Sequence, residues 1–211
     1  MIQEILKIIE RYDLGNMVRW ILTNNPSQAL PYHNFNHSLW VAHYVHDAYL
    51  LETNGKTPEK ELITAALFHD FDHSGGFFTD DSKNIERAIA GFGRWCAENS
   101  EGSDFYIAVV DLIRWTQYPF REKSPSPEIA CLRDADMMQN CNDTLLANFV
   151  GIKHELFKYD SYENYTEKTL TFLHGICYET EYGEKFGAKK LCRAIAELDK
   201  FQRLVFSVDT N

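Results

Sequence analysis

The sequence predicts an all-α protein, and three observations carry that expectation. Apolar residues recur at helical spacing almost throughout, few stretches alternate with period two, and two Ser/Thr-Pro-Glu runs have the form of helix starts. Nine segments follow, so a single-domain bundle of about 8–9 helices spanning 1–211 is expected. In the first, Ile2, Ile5, Leu6, Ile9 and Tyr12 recur at helical spacing, with Gly15 or Asn16 as its end. A second runs from about His33 to Leu51, carrying Leu39, Tyr44, Val45, Ala48 and Tyr49. Thr57-Pro58-Glu59 supplies an N-cap, a first-position proline and an acid for the third, which carries Leu62, Ala65, Ala66 and Phe68. Gly75-Gly76 closes the loop after it. Helices then span about 82–98 and 104–115, and Ser126-Pro127-Glu128 opens one through Met138. The remainder divides into about 143–158, 163–180 and 184–206. The stretch from Tyr118-Pro119 to Pro127 is rich in Pro, Ser and charge and reads as a loop between helices. No repeat or domain linker is evident.

The bulk numbers bound the function. The chain has 211 residues, 45% apolar and 25% charged, enough for one full core. Aromatic residues make up 14%, which predicts a bulky core. The formal charge of -10 argues against a nucleic-acid polymer or an anionic membrane as partner. A phosphate substrate would meet the same repulsion unless a cation offset it locally, so an acidic chain with phosphate chemistry implies a metal. Cys96, Cys131, Cys141, Cys177 and Cys192 form no CxxC pair, and their odd count fits buried, reduced thiols in a cytoplasmic protein. The opening residues have neither a basic leader nor an apolar stretch of 7–15 residues, so no signal peptide is expected. No run of about 18 apolar residues predicts a transmembrane helix.

The histidines concentrate the chemistry. Six of the eight, His33, His37, His43, His46, His69 and His73, fall between positions 33 and 73. The spacing of four places His33 and His37 on one helix face. His69-Asp70 pairs an imidazole with a carboxylate at the end of an apolar helix, and Asp136 sits among apolar residues, where a carboxylate is costly without a partner. Two imidazoles with carboxylates suit Zn, Mn, Fe, Co or Ni better than Ca or Mg alone. His43, His46, His154 and His174 read as surface or packing residues, and Asp72 and Asp134 as solvated or salt-bridged acids.

The order His37, His69-Asp70, Asp136 resembles the signature of HD-domain phosphohydrolases. Tyr32 through His37 looks like the YHNxxH motif of cyclic nucleotide phosphodiesterases. His69 through Gly75 looks like their HDxxHPG motif, with Ser74 at the proline position. Asp81 through Glu86 resembles a later family segment ending in Leu-Glu-Asn, after a much shorter loop. The resemblance implies an HD-type helical fold and one or two divalent metal ions (Zn, Mn, Mg, Fe, Co or Ni) held by His37, His69, Asp70 and Asp136. It further implies that a metal-bound hydroxide attacks phosphorus while His33 protonates the leaving oxygen. His73 would hydrogen-bond the nucleophile, and Glu86 would orient a water or His33. Asn34 is expected to cap or fix the local backbone.

The expected substrate is a small-molecule phosphate ester, a phosphodiester such as a cyclic nucleotide. The purine-reading Gln of the family finds no counterpart, because residues 160–211 hold only Gln202, in an unrelated context. An HD-type nucleotidase or nucleoside triphosphate hydrolase is the alternative, and a non-catalytic regulatory HD domain a further one. A di-iron oxygenase is disfavoured, since no His lies between His73 and Asp136. A zinc peptidase is disfavoured because Asp70 is one methylene short of the HExxH acid and Gly75-Gly76 ends the helix.

Overall fold

The computed structural model describes residues 2–78, 80–139 and 145–206. Among these residues there are ten α-helices, no strand, and no helix long and apolar enough to cross a membrane. The helices are α1 (Ile2–Arg11), α2 (Gly15–Asn24), α3 (Phe35–Glu52), α4 (Lys60–Phe68), α5 (Ser82–Asn99), α6 (Ser103–Arg114), α7 (Pro127–Gln139), α8 (Leu145–Leu156), α9 (Tyr162–Gly175) and α10 (Ala188–Phe206).

The all-α expectation holds, with one helix more than the nine segments of the sequence. The extra one is α2, which begins at Gly15, where the sequence suggested a stop. Asp13 turns the chain in the left-handed region (φ 51°), and α2 then buries Met17 and Ile21. The buried face of α1 also differs from the expected stripe: Ile8 is buried, whereas Ile2 and Leu6 are exposed. α4 starts at Lys60 rather than at the Thr57-Pro58 pair, because the Pro58 carbonyl is held by the Tyr12 hydroxyl at 2.9 Å ahead of the helix. α9 ends at Gly175, and the chain then runs extended instead of continuing to 180. Of the cysteines, Cys96 and Cys131 are buried, as expected for packed thiols, but Cys177 and Cys192 are exposed, and all four are free. Cys141 lies outside the described residues.

α3 is the axis of the fold. It packs against α1, α4 and α7, and α6 in turn covers α4 and α5. α4 is buried on every side from Leu62 to Phe68, which explains its unbroken apolar run. The α1–α7 core is closed by aromatic packing of Phe68, Phe71, Phe92 and Trp95. A second, smaller core joins α8, α9 and α10 through Phe149, Tyr165, Leu173, Leu191 and Leu198. The site described below lies where these two cores meet.

Close packing around the turn after α4 depends on one glycine of α5. A Cβ on Gly91 would overlap the ring of Phe71, which stacks on Trp20 at 5.5 Å and follows His69-Asp70 directly. Gly91→Ala should therefore destabilise the fold by about 1–3 kcal/mol despite alanine's better helix propensity. Urea denaturation would check this, and an unchanged midpoint would mean that Phe71 yields freely.

Candidate metal centre

Four donor atoms converge between α3, α4 and α7. His37 lies in the first turn of α3, His69 and Asp70 follow the last residue of α4, and Asp136 projects from α7. His37 Nε2 is 3.2 Å from His69 Nε2, 3.1 Å from Asp70 Oδ2 and 3.1 Å from Asp136 Oδ1. His69 Nε2 is 3.2 Å from Asp70 Oδ2 and 3.8 Å from Asp136 Oδ1. Donors each about 2.0–2.2 Å from a shared ion stand roughly 3.0–3.5 Å apart, so the cluster has the dimensions of a coordination shell. The donor chemistry fits as well, with two imidazole nitrogens and two carboxylate oxygens. His69 Nδ1 donates to the Ala66 carbonyl at 2.9 Å, which leaves Nε2 as the lone-pair nitrogen facing the other donors.

The electrostatics follow from this crowding. Burial would push both histidines toward the neutral form, but the adjacent Asp70 and Asp136 outweigh it, and His69 is held well above the usual imidazole range. Burial likewise opposes ionisation of Asp70 and Asp136, yet the histidines keep both carboxyls below their usual range. His37 and His69 are buried, while the two carboxylates remain partly open to a cavity of about 450 Å³.

Beside the quartet lies a second cluster. His33 and His73 stack with ring centroids 3.8 Å apart, and His33 is 5.9 Å from His37. The expectation that His33 and His37 share a helix face is corrected. Asn34 is the N-cap of α3, extended (φ -113°, ψ 177°), and its side chain accepts from the Asn36 N–H at 2.9 Å, so His33 precedes the helix. The backbone role expected for Asn34 is thus met.

The acid that holds His33 is Glu155 of α8, which the sequence did not single out. One Glu155 oxygen accepts from the backbone N–H groups of Tyr32 and His33 at 3.0 and 3.1 Å. The other meets His33 Nδ1 in a short contact and lies 3.3 Å from His73 Nδ1. Burial alone would raise this carboxyl, but the hydrogen bonds from His33 and His73 hold it below the usual range. Glu86 is corrected: its side chain is 66% exposed and pairs with Lys83 at 3.0 Å on the surface of α5, away from this cluster. It points outward because it lies off the face of α5 that buries Asn84, Ile85 and Ala88. His154 and His174 are exposed.

Neighbouring contacts fix these elements. Asp72 pairs with Arg87 at 2.6 Å, as a salt-bridged acid would. Asp134, by contrast, is buried. It accepts from the Glu179 and Thr180 N–H groups and the Thr180 hydroxyl at 2.7–3.0 Å, and burial pushes its carboxyl up to about 6. Gly76 (φ 80°) lets the loop after the HD pair approach the backbone of Leu156, where a Cβ would lie 3.1 Å from its Cα. No protein-family model matches the chain, and no curated protein matches it in sequence.

Proposed function

We propose that this chain hydrolyses a phosphate ester with the help of one or two divalent cations, and that the ester is a diester bearing a single phosphate, such as a cyclic nucleotide. The observation that carries this reading is the adjacency of the four-donor cluster and the His33–Glu155 pair, with His33, His69, Asp70 and Asp136 lining one cavity. His37, His69, Asp70 and Asp136 would hold the cation, which when bound would supply Lewis acidity and a lowered water pKa. The protein's own groups do the rest. Glu155 accepts the Nδ1 proton of His33, which fixes the ring and leaves Nε2 as the nitrogen that can hand a proton to a leaving oxygen. Stacking on His73 further restrains the His33 ring.

Charge favours a single phosphate. Among the described residues lining the cavity, Lys168 is the one Lys or Arg, and it is bound to Asp160 at 2.6 Å. Asp81 adds a further negative group to the lining. A polyphosphate would bring several charges into a cavity whose described lining offers no further Lys or Arg to receive them. A monoester carries close to two charges at neutral pH, against one for a diester. In a chain of net charge -10 the diester is the better fit.

The test is to strip the protein, restore Mn²⁺, and compare bis-p-nitrophenyl phosphate and cyclic AMP or GMP with p-nitrophenyl phosphate and nucleoside mono- and triphosphates. Preferential turnover of diesters is expected; turnover of triphosphates alone would refute the diester reading. His33→Ala should slow the reaction by roughly 10²–10⁴-fold with metal still bound. Loss of the metal in that variant would make His33 a ligand instead.

A further inference from the structure

The same cavity extends away from the donor cluster along a wall built by α8 and α9. Leu145, Phe149, Ile152, Phe157, Phe172 and Leu173 line it, and Tyr118 stands edge-on to Phe172 across a centroid distance of 5.8 Å. Polar side chains also line the cavity, but the hydroxyl protons of Tyr165, Thr169 and Thr116 are engaged within the protein. The Tyr165 hydroxyl donates to the Phe149 carbonyl at 2.8 Å, Thr169 to the Tyr165 carbonyl at 2.9 Å, and Thr116 to the Ile113 carbonyl at 2.8 Å. Asn84 accepts from the Ser74 N–H and donates to Asp81, both at 3.1 Å. Lys168 is held by Asp160. Gln202 lies on α10 and is not among the cavity residues.

We infer that the organic group of the substrate is a flat aromatic ring system held by stacking and apolar contact on the α8–α9 wall, with no hydrogen-bond selection among nucleobases. This rests on the phosphohydrolase reading for the reacting end of the cavity, not for the wall itself. Aromatic side chains offer ring faces and edges to a flat group. Apolar pockets discriminate weakly against polar decoration, about 10–200-fold, whereas a site that hydrogen-bonds its substrate rejects analogues by 10⁴–10⁵-fold. A nucleobase and a plain aryl group are therefore interchangeable occupants.

Two measurements test this. In the first, calorimetry follows 2-naphthol binding to the metal-stripped protein and phenylphosphonate against methylphosphonate binding to the Mn²⁺-loaded protein. Naphthol should bind, the phenyl compound should bind at least about 10-fold more tightly than the methyl one, and Phe172→Ala, verified as folded by circular dichroism, should erase both effects. In the second, kcat/KM for cyclic esters of adenine, guanine, cytosine and uracil should agree within about 10-fold, with the same ranking in Asn148→Ala, the other amide on this wall. A preference above about 100-fold for one base that vanishes in Asn148→Ala would overturn the inference, and so would equal binding of the phenyl and methyl compounds. Naphthol binding without turnover of any ester would uphold the aromatic wall and overturn only the hydrolase reading.

Discussion

Under the proposed phosphohydrolase function, Asp70→Ala is expected to lose divalent-metal binding and phosphoesterase turnover together. The Asp70 Oδ2 atom stands 3.1 and 3.2 Å from the two histidine nitrogens, at the centre of the donor cluster. Without it, His37 Nε2 and His69 Nε2 still face each other at 3.2 Å with Asp136 as the one remaining carboxylate. Partners that only orient a metal ligand cost about 10–100-fold in affinity when removed, so deleting a direct donor should exceed about 100-fold. Elemental analysis after Mn²⁺ reconstitution and gel filtration checks the first effect, and bis-p-nitrophenyl phosphate hydrolysis checks the second. Asp70→Asn keeps the shape and removes the charge, so it should share the defect. A variant that retains stoichiometric metal and full turnover would remove Asp70 from the ligand set.

Glu155→Ala should be nearly as damaging, by a different route. The carboxylate is fully buried and holds two backbone N–H groups and two imidazoles. Truncating it leaves the two backbone N–H groups and the His33 imidazole without their acceptor, and breaking a buried charge network of this kind costs about 3–5 kcal/mol. A drop in thermal midpoint is expected, while metal binding to the separate quartet persists. Turnover should fall by roughly 10²–10⁴-fold, as for His33→Ala, because in the proposed mechanism the two residues serve one proton transfer. Groups that act as a unit are non-additive, so the His33→Ala/Glu155→Ala double variant should be little slower than either single one. Glu86→Ala is the control: a solvated surface pair contributes about 0–1 kcal/mol, and neither rate nor midpoint should move appreciably. A rate loss in Glu86→Ala with none in Glu155→Ala would restore the role first read for Glu86.

The sequence reveals the helices and the quartet far better than the acid that serves His33. Helical periodicity places α3, α5, α6 and α7 within a residue or two because each presents a buried face to the core. α2 is hidden because Gly15-Asn16 looks like a terminator, and only the turn at Asp13 makes it a beginning. His37, His69, Asp70 and Asp136 stand out because polar residues interrupt apolar helices, which is costly without a purpose. Glu155 gives no such signal. It lies between His154 and Leu156, both exposed, and 122 residues from His33, so only the docking of α8 on the 30–33 and 73–76 loops brings them together. Glu86 draws attention in the sequence through the Asp81–Glu86 segment, and the rotation of α5 turns it to solvent.

The distribution of the site along the chain also sets an order of events during synthesis. All four donors lie between residues 37 and 136, on helices that share the first core, whereas Glu155 arrives later with the second. Translation delivers residues at about 5–20 per second, and early-made units fold first. A nascent chain released as far as α7 already carries every donor, so metal can be captured while the rest is still in the ribosomal tunnel. His33, the proton donor of the proposed reaction, meets its Glu155 partner only once α8 has emerged and reached the loop before α3. On the proposed reading, a chain arrested between the two would bind the cation yet turn over little.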